Sequence, residues 1–174
     1  MSPARKKSAA AESPASSVDR ALDTYRKKRD FEKTNEPASS RERSSEGGRV
    51  YAIQEHHASR LHYDLRLEDD GVLKSWAVPK TPPEKEGVRR LAVQTEDHPL
   101  GYETFEGVIP EGEYGAGRVK NWDSGTYELL ENDLGKKVLR IDGRRLRGRF
   151  ALIKLKPKNE DDDNWLFFKL KDKG

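Results

Sequence analysis

Strict alternation of apolar and polar residues marks one stretch of the chain clearly. Between residues 61 and 67 the apolar positions are Leu61, Tyr63, Leu65 and Leu67, and the polar positions between them are His62, Asp64 and Arg66. A period of two is typical of a strand with one face on a core and the other face open. We therefore predict a half-buried β-strand whose second face carries an imidazole, a carboxylate and a guanidinium.

A tight turn follows this strand. Asp70-Gly71 between two extended stretches is a strong hairpin signal, because a two-residue type I′ turn needs positive φ at both positions. The expected cross-strand pairs are Leu65 with Trp76 and Tyr63 with Val78 on the core face, and Arg66 with Ser75 and Asp64 with Ala77 on the other face. The small side chains of Ser75 and Ala77 would leave space above the polar trio, as a substrate cleft requires.

Short extended stretches separated by turn sequences fill most of the remaining chain. They cover residues 49–54, 89–98, 119–122, 126–130, 138–141, 146–155 and 165–170. Strands of this length and spacing favour a closed or nearly closed antiparallel barrel. We predict a mainly β protein, a compact antiparallel β-barrel with short flanking helices, over residues 49–172.

The first 48 residues differ in character from the rest. Residues 1–16 are rich in Ala, Ser, Lys and Pro, contain no core material, and are predicted to form a disordered, dispensable tail. Residues 17–48 are predicted to form a helix and linker arm. The apolar stripe of that helix consists of Val18, Ala21, Leu22 and Tyr25.

Composition restricts the function only a little. The formal net charge of +3 on 174 residues is too small to identify an anionic partner by itself. The chain has no cysteine, which rules out disulfides and thiolate metal sites and fits a reducing compartment. No apolar run is long enough for a signal peptide or a membrane span, so we expect a cytoplasmic protein without a membrane partner.

Histidine is concentrated beside the alternating strand, where three of the four histidines occur. His56, His62 and Asp64 together offer two nitrogens and one oxygen to a divalent metal and leave coordination positions open for water and substrate. Face parity favours His56 over His57 as the third ligand. Arg66 adds a planar fork of donors suited to phosphate. The alternative is a solvated strand face with a weak ion pair.

A second polar group lies farther along the chain. Arg90 and His98 have the same parity and are predicted to share one face of a strand. The loop that follows, residues 99–117, combines Gly and Pro with aromatic residues, which indicates a shaped loop. A lone histidine equally fits a structural hydrogen-bonding role, and no P-loop pattern is present.

These motifs resemble one known family. Residues 54–68, Gln-x-His-x-Ala-x-Arg-Leu-His-Tyr-Asp-Leu-Arg-Leu-Glu, and residues 75–80, Ser-Trp-Ala-Val-Pro-Lys, are similar to the 3′-phosphoesterase domain of bacterial DNA ligase D. The similarity continues through Glu-Asp-His-Pro-Leu-x-Tyr at 96–102, Phe-Glu-Gly at 105–107 and Pro-x-Gly-x-Tyr-Gly-Ala-Gly at 110–117, and it covers about residues 22–170. The family has a compact antiparallel β-barrel. No ligase or polymerase domain follows here, so we expect a stand-alone form.

The resemblance also implies an activity. The family removes a 3′-terminal ribonucleoside from a primer strand and then the remaining 3′-phosphate, and it leaves a 3′-hydroxyl for repair. It uses manganese, although other divalent metals also suit the ligand set. The implied partners are DNA 3′ ends in primer-templates and a separate ligase or polymerase.

Individual roles follow from the same resemblance. The metal ligands are His56, His62 and Asp64, and Arg66, His98 and Tyr102 are counted with them as catalytic. The expected phosphate contacts are Arg66, Arg90, His98, Lys80, Arg29 and Asp30. The last two match an N-terminal Arg-Asp element that reaches back into the site.

Two other functions fit parts of the pattern. A non-catalytic nucleic-acid-binding barrel predicts basic and aromatic groups without a metal triad, so the histidine cluster speaks against it. An iron oxygenase with two histidines and one carboxylate usually has its distal histidine much farther along the chain than His98. The basic stretch 144–149 fits either a nucleic-acid contact or a solvated barrel face, and both interpretations stay open.

Overall fold

The computed structural model describes residues 14–42 and 48–171. Its helices are α1 (Pro14–Ala21), α2 (Asp23–Lys27) and the 3-10 helix Tyr102–Thr104. Its strands are β1 (Arg49–His57), β2 (Leu61–Asp69), β3 (Val72–Val78), β4 (Arg89–Pro99), β5 (Gly107–Ile109), β6 (Gly117–Asp133), β7 (Lys136–Gly143), β8 (Arg147–Lys154) and β9 (Asn164–Lys169). Residues 1–13 of the predicted tail lie outside the described residues. Among the described helices, none is long and apolar enough to cross a membrane.

Eight of the strands close into a barrel. Neighbours pair antiparallel in the order β1-β2-β3-β4-β9-β8-β7-β6, and β6 pairs back onto β1. The short strand β5 adds to β6 outside this circuit. Closure leaves none of the eight strands as a free sheet edge. The predicted antiparallel β-barrel with short flanking helices is confirmed.

The β2–β3 hairpin has the predicted register. Leu65 pairs with Trp76, Tyr63 with Val78, Arg66 with Ser75, and Asp64 with Ala77. Asp70 and Gly71 have φ values of 52° and 84°, the positive values that a two-residue type I′ turn requires. Because side chains alternate along a strand, this register places the apolar set inside the barrel and the polar set on its outer face.

Two apolar clusters hold the molecule together. The largest fully buried side chains in the barrel interior are Trp76, Tyr51, Phe150 and Phe167. A smaller cluster lies outside the barrel, where Tyr25 of α2 packs with Leu73, Leu100 and Tyr102. This second cluster fixes the N-terminal segment against the outer face of the barrel, beside the polar face of β2.

Two elements differ from the prediction. The N-terminal helix begins at Pro14 rather than Ser17 and is interrupted at Leu22. Proline suits a first helical turn, because the N–H that it lacks has no intrahelical partner there. Residues 119–122 and 126–130, predicted as separate strands, belong to the single 17-residue strand β6. Its length is needed because β6 pairs in succession with β5, β1 and β7.

Asp123 is a structural anchor in the middle of β6 rather than a turn residue. Its carboxylate is 1% exposed and accepts the Tyr51 hydroxyl at 2.8 Å. It also accepts the backbone N–H groups of Arg144, Arg145 and Leu146 at 2.8, 3.0 and 2.9 Å. One side chain therefore holds the β7–β8 turn onto β6.

Asp123→Ala should lower the free energy of unfolding by about 3 kcal/mol or more, because several polar groups lose their acceptor together. Urea unfolding followed by tryptophan fluorescence measures this change. Asp142→Ala removes an exposed carboxylate from the end of β7 and should change stability by less than about 0.5 kcal/mol. Equal stability of the two variants would contradict the anchoring role.

Candidate metal and phosphate site

A cleft on the outer face of the barrel collects the polar side chains of β1, β2 and β4. Its remaining walls are the N-terminal segment at Arg29, the 3-10 helix, and the loop that ends at Gly115. The predicted site residues that line it are Arg29, His56, His62, Asp64, Arg66, His98 and Tyr102. The outer face of the β2–β3 hairpin is therefore the floor of a cleft, as the pattern of small and polar residues predicted.

The three predicted metal ligands lie together. His56 and His62 are directly opposite each other across the β1–β2 pair, and Asp64 lies two residues farther along β2. His56 Nδ1 is 3.4 Å from Asp64 Oδ2, and His62 Nε2 is 3.3 Å from Asp64 Oδ1. One ligand atom from each residue lies within 4.8 Å of the other two. His57 is exposed and contacts Glu55 instead, as face parity predicted.

Backbone carbonyls orient both imidazoles. His56 Nε2 lies 2.7 Å from the carbonyl oxygen of Gly115, and His62 Nδ1 lies 3.2 Å from that of Arg60. A carbonyl only accepts, so these nitrogens carry the N–H and the other nitrogen of each ring faces Asp64. Histidines that bind a metal through one ring nitrogen commonly donate the N–H of the other to a carbonyl or a carboxylate in this way. Gly115 has a φ of 77°, which favours glycine, and this conformation directs its carbonyl to His56.

The lone pairs of the two imidazoles and the Asp64 carboxylate converge on one place, and positive charge is needed there to balance them. Burial alone would raise the pKa of Asp64, but Arg66 and the hydrogen bonds with His56 and His62 outweigh it and hold that pKa well below its usual range. Burial lowers the pKa of His62, but the hydrogen bond with Asp64, the charge of Asp64 and the hydrogen bond with the Arg60 carbonyl together outweigh burial, and the net direction is upward. Either two protons or one divalent cation can balance this cluster.

The distances in the cluster fit a cation. Its N–O separations of 3.3 and 3.4 Å are longer than the about 2.7–2.9 Å of charge-assisted hydrogen bonds. Two imidazole nitrogens and a carboxylate oxygen are a common ligand set for divalent transition metals. The residues present therefore fit a divalent metal.

Arg66 is held beside the metal ligands. Its Nε donates to Gln54 Oε1 at 3.0 Å, and its Nη2 lies 3.5 Å from Asp64 Oδ2. The guanidinium carbon lies 4.9 Å from the centre of the Tyr102 ring, a cation–π distance. Because these contacts fix its plane, Arg66 presents its donors to the cleft in one orientation, which suits phosphate.

Arg29 reaches the cleft from the N-terminal segment. Its Nε donates to Glu36 Oε2 at 3.0 Å, and its Nη1 lies 3.5 Å from Glu96 Oε2. Its guanidinium carbon lies 3.9 Å from the centre of the Tyr25 ring. Glu36 also accepts the Tyr102 hydroxyl at 2.5 Å. One buried carboxylate therefore links the N-terminal segment to the 3-10 helix and positions a second guanidinium in the cleft.

His98 lies between the two arginines. Its Nδ1 donates to the carbonyl of Glu96 at 2.9 Å and lies 3.3 Å from Arg66 Nη1, and its Nε2 lies 3.5 Å from Arg29 Nη2. Burial lowers the pKa of His98, and Arg66 and Arg29 lower it further, to well below its ordinary value. His98 is therefore neutral near pH 7. This favours a role in positioning the two guanidiniums over a role as proton donor.

The neutral state of His98 should make the protein sensitive to acid. An unfolded histidine titrates near pH 6.5, above the folded pKa, so the unfolded state binds more protons and stability falls as the pH drops below about 6.5. His98→Gln should therefore weaken the fall in unfolding free energy between pH 7 and pH 5, by up to about 1.4 kcal/mol per pH unit. Urea unfolding at each pH measures it, with the exposed His57→Gln as control. Identical slopes in both variants would contradict the assignment.

A β-bulge in β4 directs side chains into the cleft. Ser75 pairs with Thr95, but Leu73, two residues earlier, pairs with His98, so β4 has one extra residue here. As a result Thr95, Glu96 and His98 all line the cleft. Strict alternation would turn one of them away, and bulges of this kind are frequent beside active sites.

Arg90 and Lys80 lie outside the cleft. The predicted common face of Arg90 and His98 assumed a regular strand, and the extra residue in β4 reverses the parity between them. Arg90 instead shares a face with Ala92, which packs inside the barrel, and its Nε donates to the carbonyl of Thr81 at 2.6 Å. Lys80 is exposed in the loop after β3.

Asp30 does not accompany Arg29 into the cleft. Its carboxylate accepts the backbone N–H of Glu32 at 3.0 Å and lies 3.9 Å from Lys33 Nζ. The carboxylate that holds Arg29 belongs to Glu36, whose side chain is fully buried. The difference arises because the chain turns after Asp30 and brings Glu36 back beneath the arginine.

Several cleft residues carried no distinctive sequence signal. Glu36 and Glu96 are two of 31 acidic residues, and nothing local separates them from solvated carboxylates. Tyr114, an exposed ring at the edge of the cleft, lay in a recognised loop motif without an assigned role. Gln54 was the exception, because the parity that selected His56 also places Gln54 on the cleft face two residues earlier.

The fold and the site together define a class: a closed β-barrel that carries a candidate metal site of two histidines and one carboxylate, with guanidiniums beside it. The model of one family, the DNA ligase D 3′-phosphoesterase domain, matches residues 54–154. The chain belongs to this family, and the resemblance drawn from its motifs is confirmed.

Curated relatives support this membership over most of the chain. It is 51% identical over 154 residues to the multifunctional non-homologous end joining DNA repair protein LigD of Mycobacterium tuberculosis. It is 48% identical over 162 residues to the corresponding LigD protein of Mycolicibacterium smegmatis, and 47% identical over 157 residues to that of Pseudomonas aeruginosa. These matches cover 86–87% of the chain but only about a fifth of each relative's length.

Proposed function

We propose that this protein is a manganese-dependent phosphoesterase that processes the 3′ ends of DNA. It would remove a 3′-terminal ribonucleoside and then the remaining 3′-phosphate, and it would leave a 3′-hydroxyl. The observation that carries the proposal is the position of Arg66, whose Nη2 lies 3.5 Å from the Asp64 carboxylate of the metal cluster. The proposed metal ligands and a guanidinium suited to phosphate therefore lie in the same cleft.

The proposed chemistry divides between the two halves of the cleft. A divalent metal held by His56, His62 and Asp64 would supply Lewis-acid activation of a phosphate oxygen and of water. Arg66 and Arg29 would bind the non-bridging oxygens of the phosphate and stabilise the negative charge that develops on them. Both guanidiniums are positioned before substrate arrives, so little reorganisation is needed during the reaction.

Buried groups around the arginines keep the cleft ordered. Burial raises the pKa of the Tyr102 hydroxyl well above its ordinary value, and Glu36 adds to this effect, so the hydroxyl keeps its proton and donates a hydrogen bond to Glu36. Neutral His98 would hold Arg66 and Arg29 apart at the spacing that a phosphate needs. These residues orient the binding groups and do not exchange protons with the substrate.

The proposed biological substrate follows from the relatives. The three relatives described above are all named for non-homologous end joining. By extension we propose that this chain acts on primer-template 3′ ends during DNA end joining, together with a ligase and a polymerase.

A primer-template assay tests the proposal. A 5′-labelled primer that ends in one ribonucleotide, and a second that ends in a 3′-phosphate, are incubated with protein and manganese or with EDTA. In manganese only, both should yield a primer with a 3′-hydroxyl: the ribonucleotide primer becomes one nucleotide shorter, and the 3′-phosphate primer becomes extendable by a DNA polymerase. Unchanged primers in manganese would overturn the proposal, because the cleft would then have no phosphoesterase activity.

The division into a tail, an arm at residues 17–48 and a barrel also belongs to the proposal. Deleting residues 1–33 should lower turnover at least a hundredfold, because it removes Arg29 from the cleft. Deleting residues 1–13 should leave turnover within twofold. Both proteins are compared by single-turnover kinetics on the 3′-phosphate primer. If the longer deletion kept full activity, Arg29 would have no part in phosphate binding.

A further inference from the structure

Positive charge is concentrated on two segments of the barrel. Residues 140–149 carry five arginines and one aspartate, and residues 80–90 carry four basic and two acidic residues. Their combined surplus is six positive charges, although the formal net charge of the whole chain is only +3. The rest of the chain is therefore net negative. We call these two segments the basic rim.

Contacts between the two segments make the basic rim one continuous surface. Arg145 Nη1 lies 3.9 Å from Glu84 Oε1. Arg149 Nη2 donates to the carbonyl of Lys171 at 2.8 Å, and a β-bridge joins Glu86 to Lys169, two residues before it. The end of β9 therefore lies between the segments and connects them.

The three rim arginines at the β7–β8 turn, Arg144, Arg145 and Arg147, are exposed and weakly paired with carboxylates. Arg144 has no carboxylate partner among the described residues. The Arg145 side chain is 53% exposed, and its guanidinium carbon lies 4.5 Å from the centre of the Trp122 ring, which holds its plane against the barrel. The Arg147 side chain is 73% exposed and lies 4.0 Å from an equally exposed Asp142. Exposed pairs at such distances contribute little, so these groups are available to an external anion.

The basic rim begins at the edge of the cleft. Ala77 lines the cleft, and Lys80, the first residue of the rim, follows three positions later. Three residues of extended chain span at most about 10 Å. A nucleic acid carries a phosphate at every nucleotide, so a strand whose 3′ end lies in the cleft can place its preceding phosphates on the rim.

We propose that the basic rim binds the phosphodiester backbone of the nucleic acid whose 3′ end occupies the cleft. The inference rests on the proposed function and adds to it a second binding surface, away from the reacting phosphate. Seven of the nine basic residues in the rim are arginines. Arginine binds phosphate through a planar fork of donors, and such contacts position a duplex without reading its sequence. The stretch 144–149 is thereby assigned to nucleic-acid contact.

The test separates backbone binding from catalysis. Arg144→Gln/Arg147→Gln removes two rim charges and spares Arg145, which packs on the barrel. The matched control is the double variant Lys156→Gln/Lys158→Gln, which changes two exposed lysines in the loop between β8 and β9. Fluorescence anisotropy in EDTA measures the affinity for 3′-phosphorylated hairpin duplexes of about 8 and 24 base pairs over a range of salt concentrations. Turnover of a 3′-phosphorylated dinucleotide in manganese is measured in parallel.

The rim variant should bind the longer duplex about tenfold more weakly at low salt. The slope of log K against log salt concentration should be smaller in magnitude by about 1 to 2. The control should bind like the wild type, and dinucleotide turnover should not change. Equal weakening of binding in the control, or unchanged binding in the rim variant, would overturn the inference. Unchanged binding would instead favour an acidic protein as the partner of the rim. Absence of turnover in every protein, wild type included, would instead reject the proposed function and leave the binding result standing.

Discussion

Asp64→Asn is expected to lower manganese-dependent kcat/KM about a thousandfold or more. The substitution keeps the size of the side chain but removes the charge that faces His56, His62 and Arg66. Lewis-acid activation by a bound metal contributes several kcal/mol to hydrolysis, and about 1.4 kcal/mol is tenfold in rate. Manganese binding is measured by isothermal titration calorimetry, and turnover on the 3′-phosphate primer.

His57→Ala is the matched control for this experiment, because His57 is a neighbouring histidine outside the cluster. It should bind manganese and turn over substrate like the wild type. His62→Ala should behave like Asp64→Asn. A folded His62→Ala protein with normal turnover would remove the cluster from the mechanism, whatever its affinity for metal.

Arg66→Ala should lower kcat/KM by about 10²- to 10³-fold, the usual cost of removing one preorganised donor group from a developing anion. The loss should fall mainly on kcat, because Arg66 faces the metal ligands rather than the outer parts of a substrate. Arg66→Lys keeps the charge without the planar fork and should recover only part of the activity. Single-turnover and steady-state kinetics on the 3′-phosphate primer separate kcat from KM.

Two further measurements control for a structural effect of Arg66→Ala. Arg66 is buried beside Asp64, so its removal leaves a carboxylate without its partner, and thermal unfolding must show that the barrel persists. Arg49→Ala removes a half-exposed arginine from β1 and should leave kcat unchanged. If Arg66→Lys were as active as the wild type, a charge alone would suffice and the fork would have no special role.

The part of the site that lies on the β2–β3 hairpin was predictable from sequence. Asp70-Gly71 selects a two-residue turn, the turn sets the register, and the register decides which side chains share a face. The positions of Asp64, Arg66 and Ser75 follow from that one local signal. The barrel was predictable for a related reason, since many short strands with turn sequences between them need a closed antiparallel sheet.

The part of the site that depends on long-range packing was not predictable in the same way. Glu36 reaches Arg29 and Tyr102 only because Tyr25 anchors the N-terminal segment on the outer face of the barrel. No periodicity in residues 30–42 indicates such a contact. The expected role of Asp30 comes from the resemblance to an Arg-Asp element, whereas the carboxylate that holds Arg29 lies six positions after Asp30, at Glu36.

The bulge in β4 makes the site depend on a count of residues as well as on their chemistry. A substitution at Glu96 or Asp97 alters one side chain, whereas the loss of one residue there would remove the bulge and restore regular alternation between Thr95 and His98. His98 would stay opposite Leu73, but the one residue left between Thr95 and His98 would face the barrel interior, and the cleft would lose the Glu96 carboxylate that contacts Arg29. When members of the family are compared, a one-residue gap between Thr95 and His98 should therefore be a stronger sign of lost activity than many substitutions on the barrel surface.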